Sequence, residues 1–172
     1  MNKGLKKATG DWINFMNAGD CFSSDSSLEN YSKFFNNKYA IVFSDVMTVN
    51  EDKTKRYSKQ NGLFKKQIFL NQMPHQATFF NAEKTQEMLY DTNFKVAADL
   101  ALLVEIYLKY GSGAFKYIEQ PLVHYALGGY SAQNYSTLVE ERYQIISKLP
   151  FKFRLINKLN FYRQTIFNSK KI

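Results

Sequence analysis

The sequence predicts an α/β domain: a mixed sheet flanked by helices, followed by a helical basic tail. Two kinds of segment carry this reading. Short apolar runs at 12–16 and 39–46 stop abruptly at a glycine or an acid, as buried strands do. Between and after them lie stretches whose apolar residues recur three and four apart, the clearest running from 94 to Gly111.

Taken in order, residues 2–10 read as a short helix ended near Gly10. The strand Trp12-Ile13-Asn14-Phe15-Met16 then closes on Asn17-Ala18-Gly19-Asp20. Ligand sites of open α/β sheets lie just beyond the carboxyl ends of such strands, so Asp20 stands where a carboxylate could hold a metal. The same acid could instead cap a following helix. Asp25 or Ser26 opens a helix through Leu28, Tyr31, Phe34 and Phe35, and a second buried strand runs from Tyr39 to Val46. Its Asp45 either approaches the site or meets solvent at the strand end.

Residues 50–62 read as a polar hairpin and 63–70 as a short helix. Met73-Pro74-His75-Gln76 leads into a strand at 77–80. The helix that follows runs through Leu102, Leu103, Ile106, Tyr107 and Tyr110 and carries Asp99 at its start, where an acid caps the helix or faces a ligand. Two strands are expected at 114–118 and 122–125, then a Gly128-Gly129 turn. A helix through Leu138, Glu141, Tyr143 and Ile146 is broken by Pro150. This divides the chain into a domain over 1–134 and a helical region over 135–172.

Composition limits the functional classes. The 172 residues suit one core, and 45% are hydrophobic. The net charge of +8 is concentrated after residue 147, where seven basic residues meet no acid, while 16 basic and 15 acidic residues precede them. With the excess confined to the tail and no nucleic-acid motif beside it, nucleic acid is not an expected partner. The single cysteine, Cys21, excludes an internal disulfide. No apolar run reaches spanning length and no signal peptide is visible, which places the chain in the cytoplasm as an expectation. The tail's Leu155, Ile156, Leu159, Tyr162 and Ile166 at helical spacing, among basic residues, fit either a membrane-surface helix or a helix covering the sheet.

Four motifs occur in a fixed order: N-K-G, A-T-G, an apolar strand and a closing G-D; H-Q-x-x-F-F at 75–80; A-D at 98–99 opening a helix; and G-G-x-S at 128–131. Together they resemble family 2 glycosyltransferases of the GT-A fold, over residues 1 to about 131. The resemblance implies inverting transfer of a sugar from a nucleotide-sugar donor to a glycan or lipid-linked acceptor in surface polysaccharide synthesis, at the cytoplasmic face of the membrane. It implies that Asp99 is the general base, and that Asp20, with His124 as a further contact, ligates a divalent metal (Mn2+ or Mg2+). It places Asn17, His75, Gln76, Gly128, Gly129 and Ser131 around donor and acceptor. The family's first metal-site acid is replaced here by Ala18.

Family members also carry a nucleotide-binding half ahead of this point, so the resemblance implies an N-terminally truncated domain with an exposed sheet edge open to self-association. The alternative is a catalytically dead remnant serving as an interaction or membrane-peripheral module.

Overall fold

The computed structural model describes residues 1–50, 55–58 and 73–150. The expected helix at 63–70, most of the 50–62 hairpin and the amphipathic tail beyond 150 lie outside the described residues. Six strands form one mixed sheet: β1 (Trp12–Asn14), β2 (Cys21–Phe22), β3 (Ile41–Val49), β4 (Lys55–Ser58), β5 (Thr78–Asn81) and β6 (Phe115–Ala126). Their order is β1-β5-β3-β6-β2, with β4 also paired to β3. Among the described residues only β3 and β6 run parallel, and the other pairings are antiparallel.

The helices among the described residues are α1 (Asn2–Lys7), α2 (Ser27–Ser32), α3 (Ala82–Thr85), α4 (Ala98–Tyr110), α5 (Tyr130–Gln133) and α6 (Tyr135–Ser147). Alternation along the central strands sorts the core into two layers. Ile41, Phe43 and Phe80 pack with Leu5 of α1, Leu100, Leu103 and Ile106 of α4, and Leu138 and Ile145 of α6. Val42 and Phe79 face the other way, onto Tyr31 of α2, Phe22, Phe35 and Trp12. Many of the aromatics are therefore core: Trp12 stacks on Phe35 at 4.5 Å, and Phe79 meets Tyr31 at 4.6 Å. Because α6 adds Leu138, Ile145 and the following Leu149 to the α4 layer, the chain on both sides of residue 134 shares one core.

The opening motif has a packing reason. Asn2 exchanges two hydrogen bonds with the Tyr90 backbone, donating from Nδ2 to the carbonyl and accepting the amide at Oδ1, both at 2.8 Å. A Cβ at Gly4 would sit 3.2 Å from the Phe15 ring, a tight approach that the ring would have to relieve by a few tenths of an ångström.

Two expectations change. The strands expected at 114–118 and 122–125 are a single strand, β6, because Pro121 falls at a break in register opposite Asp45, where a proline removes no regular ladder bond. Asp45 does not meet solvent. It is fully buried on β3, and its carboxylate accepts hydrogen bonds from the hydroxyls of Tyr57 and Tyr117, each at 2.6 Å. The bond to Asp45, with a smaller effect of burial, pushes the Tyr57 hydroxyl up to about 12.

A second buried carboxylate joins α6 to α4. Glu141, 7% exposed, accepts the backbone amides of Lys95 at 2.7 Å, Val96 at 2.9 Å and Ala97 at 2.8 Å. Burial opposes its ionisation, but the three amides, with the Lys95 charge, outweigh burial and hold the carboxyl below its ordinary value. A depressed folded-state value stabilises the fold above the ordinary value of about 4.5, and that contribution is lost as pH falls through the lower folded value. We expect Glu141→Gln to lower unfolding free energy at neutral pH by about 1–3 kcal/mol. It should also flatten this part of the acid dependence, as read by thermal melts across the acidic range.

Candidate active site

The turn after β1 sets the site. The Asp20 amide donates to the Asn17 carbonyl at 3.2 Å, and Gly19 sits at φ +93°, a conformation that glycine alone adopts without strain. Asp20 then enters β2 rather than a helix, so it caps nothing; its carboxylate is held across the sheet instead. Oδ1 accepts the Ala126 amide at 2.8 Å, and Oδ2 accepts the Gln76 side-chain amide at 2.8 Å. These partners lie 106 and 56 residues away.

Gln76 belongs to a short 3-10 turn, His75–Ala77, that leads into β5. Asn14 of β1 pins this turn by donating from Nδ2 to the carbonyls of Gln76 and Thr78, both at 2.9 Å. The contact with Asp20 fixes the orientation of the Gln76 amide, since its NH2 must face the carboxylate. Its Oε1 then points away, buried and without a hydrogen-bond partner among the described residues. His75 Nε2 and the Tyr90 hydroxyl are likewise buried and unpartnered there.

His75 carries the site to Asp99. Its Nδ1 lies 3.7 Å from Asp99 Oδ2, with the two side chains 19% and 20% exposed. Asp99 is in the first turn of α4, where Oδ1 accepts the amide of Leu100 at 2.7 Å. Gly111 ends the helix at φ +72°, as its position in the sequence suggests. Tyr125 faces the same space: burial first, then the charges of Asp20 and Asp99, push its hydroxyl above the ordinary value. Asp20 and Asp99 are thus met by two residues adjacent in the chain, Gln76 and His75.

The structure treats the remaining candidates differently. Asn17 lies exposed at the turn, and Gly128, Gly129 and Ser131 lie exposed just past Ala126. Gly128 has φ +87°, and Gly129 precedes α5. His124 pairs across the β2–β6 ladder with Cys21, its Nδ1 3.8 Å from the thiol, while Tyr125, the next residue, faces the opposite side of the sheet and feels the Asp20 charge. Burial, and then the positive charge of Lys55, hold the His124 ring below its usual value. A shallow cleft of about 400 Å³ opens there, bordered by Gly19, Cys21, Lys55 and His124, and away from His75 and Asp99. Among the described residues no three His, Cys, Asp or Glu side chains gather as a metal-holding group.

Residues at the candidate site that escaped the sequence reading are Asn14, which holds the Gln76 turn, and Tyr125, which feels both Asp20 and Asp99. Asn14 offered a signal, as a polar residue inside an otherwise apolar strand.

The family model for glycosyl transferase family 2 matches residues 1–111. The chain belongs to this family. The matched stretch contains Asp20, His75, Gln76 and Asp99 and ends at the α4 cap, so the four linked residues fall inside the family 2 segment, while His124, Gly128, Gly129 and Ser131 lie beyond it. The mixed sheet flanked by helices is the GT-A-like arrangement of a family 2 glycosyltransferase domain. None of the curated proteins shows detectable similarity to the sequence. No helix among the described residues is long and apolar enough to cross a membrane.

Removing the Asn14 donor leaves two backbone carbonyls short of a partner. Asn14→Ala is expected to lower stability by about 1–3 kcal/mol in equilibrium urea unfolding.

Proposed function

We propose that this domain catalyses inverting transfer of a sugar from a nucleoside-diphosphate donor to a glycan or lipid-linked acceptor hydroxyl, as in the building of a surface polysaccharide. The observation that carries the reading is the link from Asp20 through Gln76 and His75 to Asp99. Inverting transfer needs a carboxylate to take the acceptor proton as the hydroxyl attacks the anomeric carbon, and a second centre on the leaving diphosphate. Two carboxylates facing one space suit that division. Asp99 Oδ1 is occupied by its own helix amide, which leaves Oδ2, beside His75, as the basic oxygen.

Family 2 enzymes often use a divalent cation. The residues present suit a cation held mostly by substrate: magnesium-like ions bind through one or two carboxylates plus phosphate oxygens and water, and Asp20 offers one carboxylate whose two protein hydrogen bonds leave lone pairs free. When bound, such an ion would neutralise charge on the departing diphosphate. The rest of the work falls to the chain. The buried Gln76 Oε1 and His75 Nε2 are polar atoms that sugar hydroxyls can satisfy, and buried unsatisfied groups of this kind favour a polar ligand over an apolar one. The turn at Gly128-Gly129 is exposed and follows directly on the Ala126 contact, which supports a role for its backbone toward the donor.

The test is transfer from uridine and guanosine diphosphate sugars by the full chain and by Asp99→Asn. A fall in kcat on the order of 100-fold or more, with the circular dichroism spectrum unchanged, is the expected result. Undiminished transfer by the variant would remove Asp99 from the mechanism.

A further inference from the structure

The helix that carries Asp99 starts without a cap of its own. Its N-cap position is Ala97, which has no side chain able to accept an amide, although helix starts favour Ser, Thr, Asp or Asn there. The acceptor comes from 44 residues downstream. Glu141 lies in the middle of α6 and accepts the amides of Lys95, Val96 and Ala97 with its two oxygens, three successive donors converging on one carboxylate. Its position on α6 is abnormal for an acid: Leu138 and Ile145, three residues before and four after, are buried on the same face of the helix. The negative charge also sits at the positive end of α4, where the helix dipole favours it.

Asp99 is two residues beyond the last of these amides. Fixing three consecutive backbone N–H directions fixes the path of the chain into the first turn of α4, and so the direction in which the Asp99 carboxylate leaves it. We propose that Glu141 is a positioning residue for Asp99, and that the docking of α6 sets the geometry of the catalytic carboxylate. This rests on the reading of Asp99 as the base, and it reaches beyond the family 2 segment, because the match ends at residue 111 and Glu141 lies 30 residues further on.

The Leu100 amide, which donates to Asp99 Oδ1, is a built-in reporter of how that carboxylate is held. Amide NMR spectra and hydrogen exchange of the full chain, with Glu141→Gln and Glu141→Asp, test the coupling directly. The expected result for Glu141→Gln is faster exchange at residues 95–97 together with a displaced Leu100 resonance, while the β3 amides of residues 41–43 keep their protection. Glu141→Asp keeps the charge and should restore part of the Leu100 signal; it also serves if the glutamine variant folds poorly.

In transfer assays well below the melting midpoint, kcat of Glu141→Gln should fall about tenfold to a hundredfold, with KM within about twofold. An undisturbed Leu100 resonance when residues 95–97 lose protection would overturn the proposal, as would an unchanged kcat beside an Asp99→Asn variant that has lost activity. If Asp99→Asn itself transfers normally, the catalytic reading of Asp99 fails. The Leu100 resonance then still decides whether Glu141 orients that side chain.

Discussion

One carboxylate holds three distant parts of this chain together. Asp20 leaves a tight turn at the end of β1, and its two oxygens take an amide from the end of β6 and the side-chain amide of Gln76 ahead of β5. The β2–β6 ladder and the Asn14 hydrogen bonds bring the turn, the β6 terminus and the His75-Gln76 segment together, and the Asp20 bridge ties all three at one point. Every other contact of the candidate site extends from it: Asn14 fixes the turn that presents Gln76, and His75 passes the arrangement on to Asp99.

Comparing the carboxylates shows why two of them suit chemistry and two do not. Asp45 is fully buried between two tyrosine hydroxyls, and Glu141, nearly as buried, holds three backbone amides. Hydrogen bonds to a charged group contribute roughly 1.5–3 kcal/mol each, so freeing either acid for a reaction would cost more than a bound substrate could readily return. Asp20 and Asp99 are partly exposed, and Asp99 accepts a single donor. The two structural acids brace the sheet and α4, on which the two available acids stand.

Much of this was readable from the sequence because the signals were local. The three-and-four spacing from Leu102 to Tyr110 and the glycine after it mark α4, and the apolar run into Gly19-Asp20 marks the turn. The parts that could not be read depend on contacts between residues far apart. Glu141 looks like an ordinary surface charge until Leu138 and Ile145 turn that face of α6 inward, and Asp45 reads as a strand-end acid because the tyrosines that enclose it come from other strands. His124, which the resemblance makes a further contact at the metal, is paired by the β2–β6 ladder with Cys21, a partner 103 residues away that its local sequence does not announce. The residues suggest two strands where β6 is one because the register break opposite Asp45, which accommodates Pro121, has no signature in the sequence itself.

The central claim is that Asp20 stands at the diphosphate of a nucleotide donor. Isothermal titration calorimetry of the full chain with uridine and guanosine diphosphates, with and without manganese, tests it most directly when Asp20→Asn is titrated beside the parent. The account predicts binding that requires the metal and disappears in a folded Asp20→Asn variant. Metal-independent binding, equal binding by the variant, or no binding by the folded parent would contradict it.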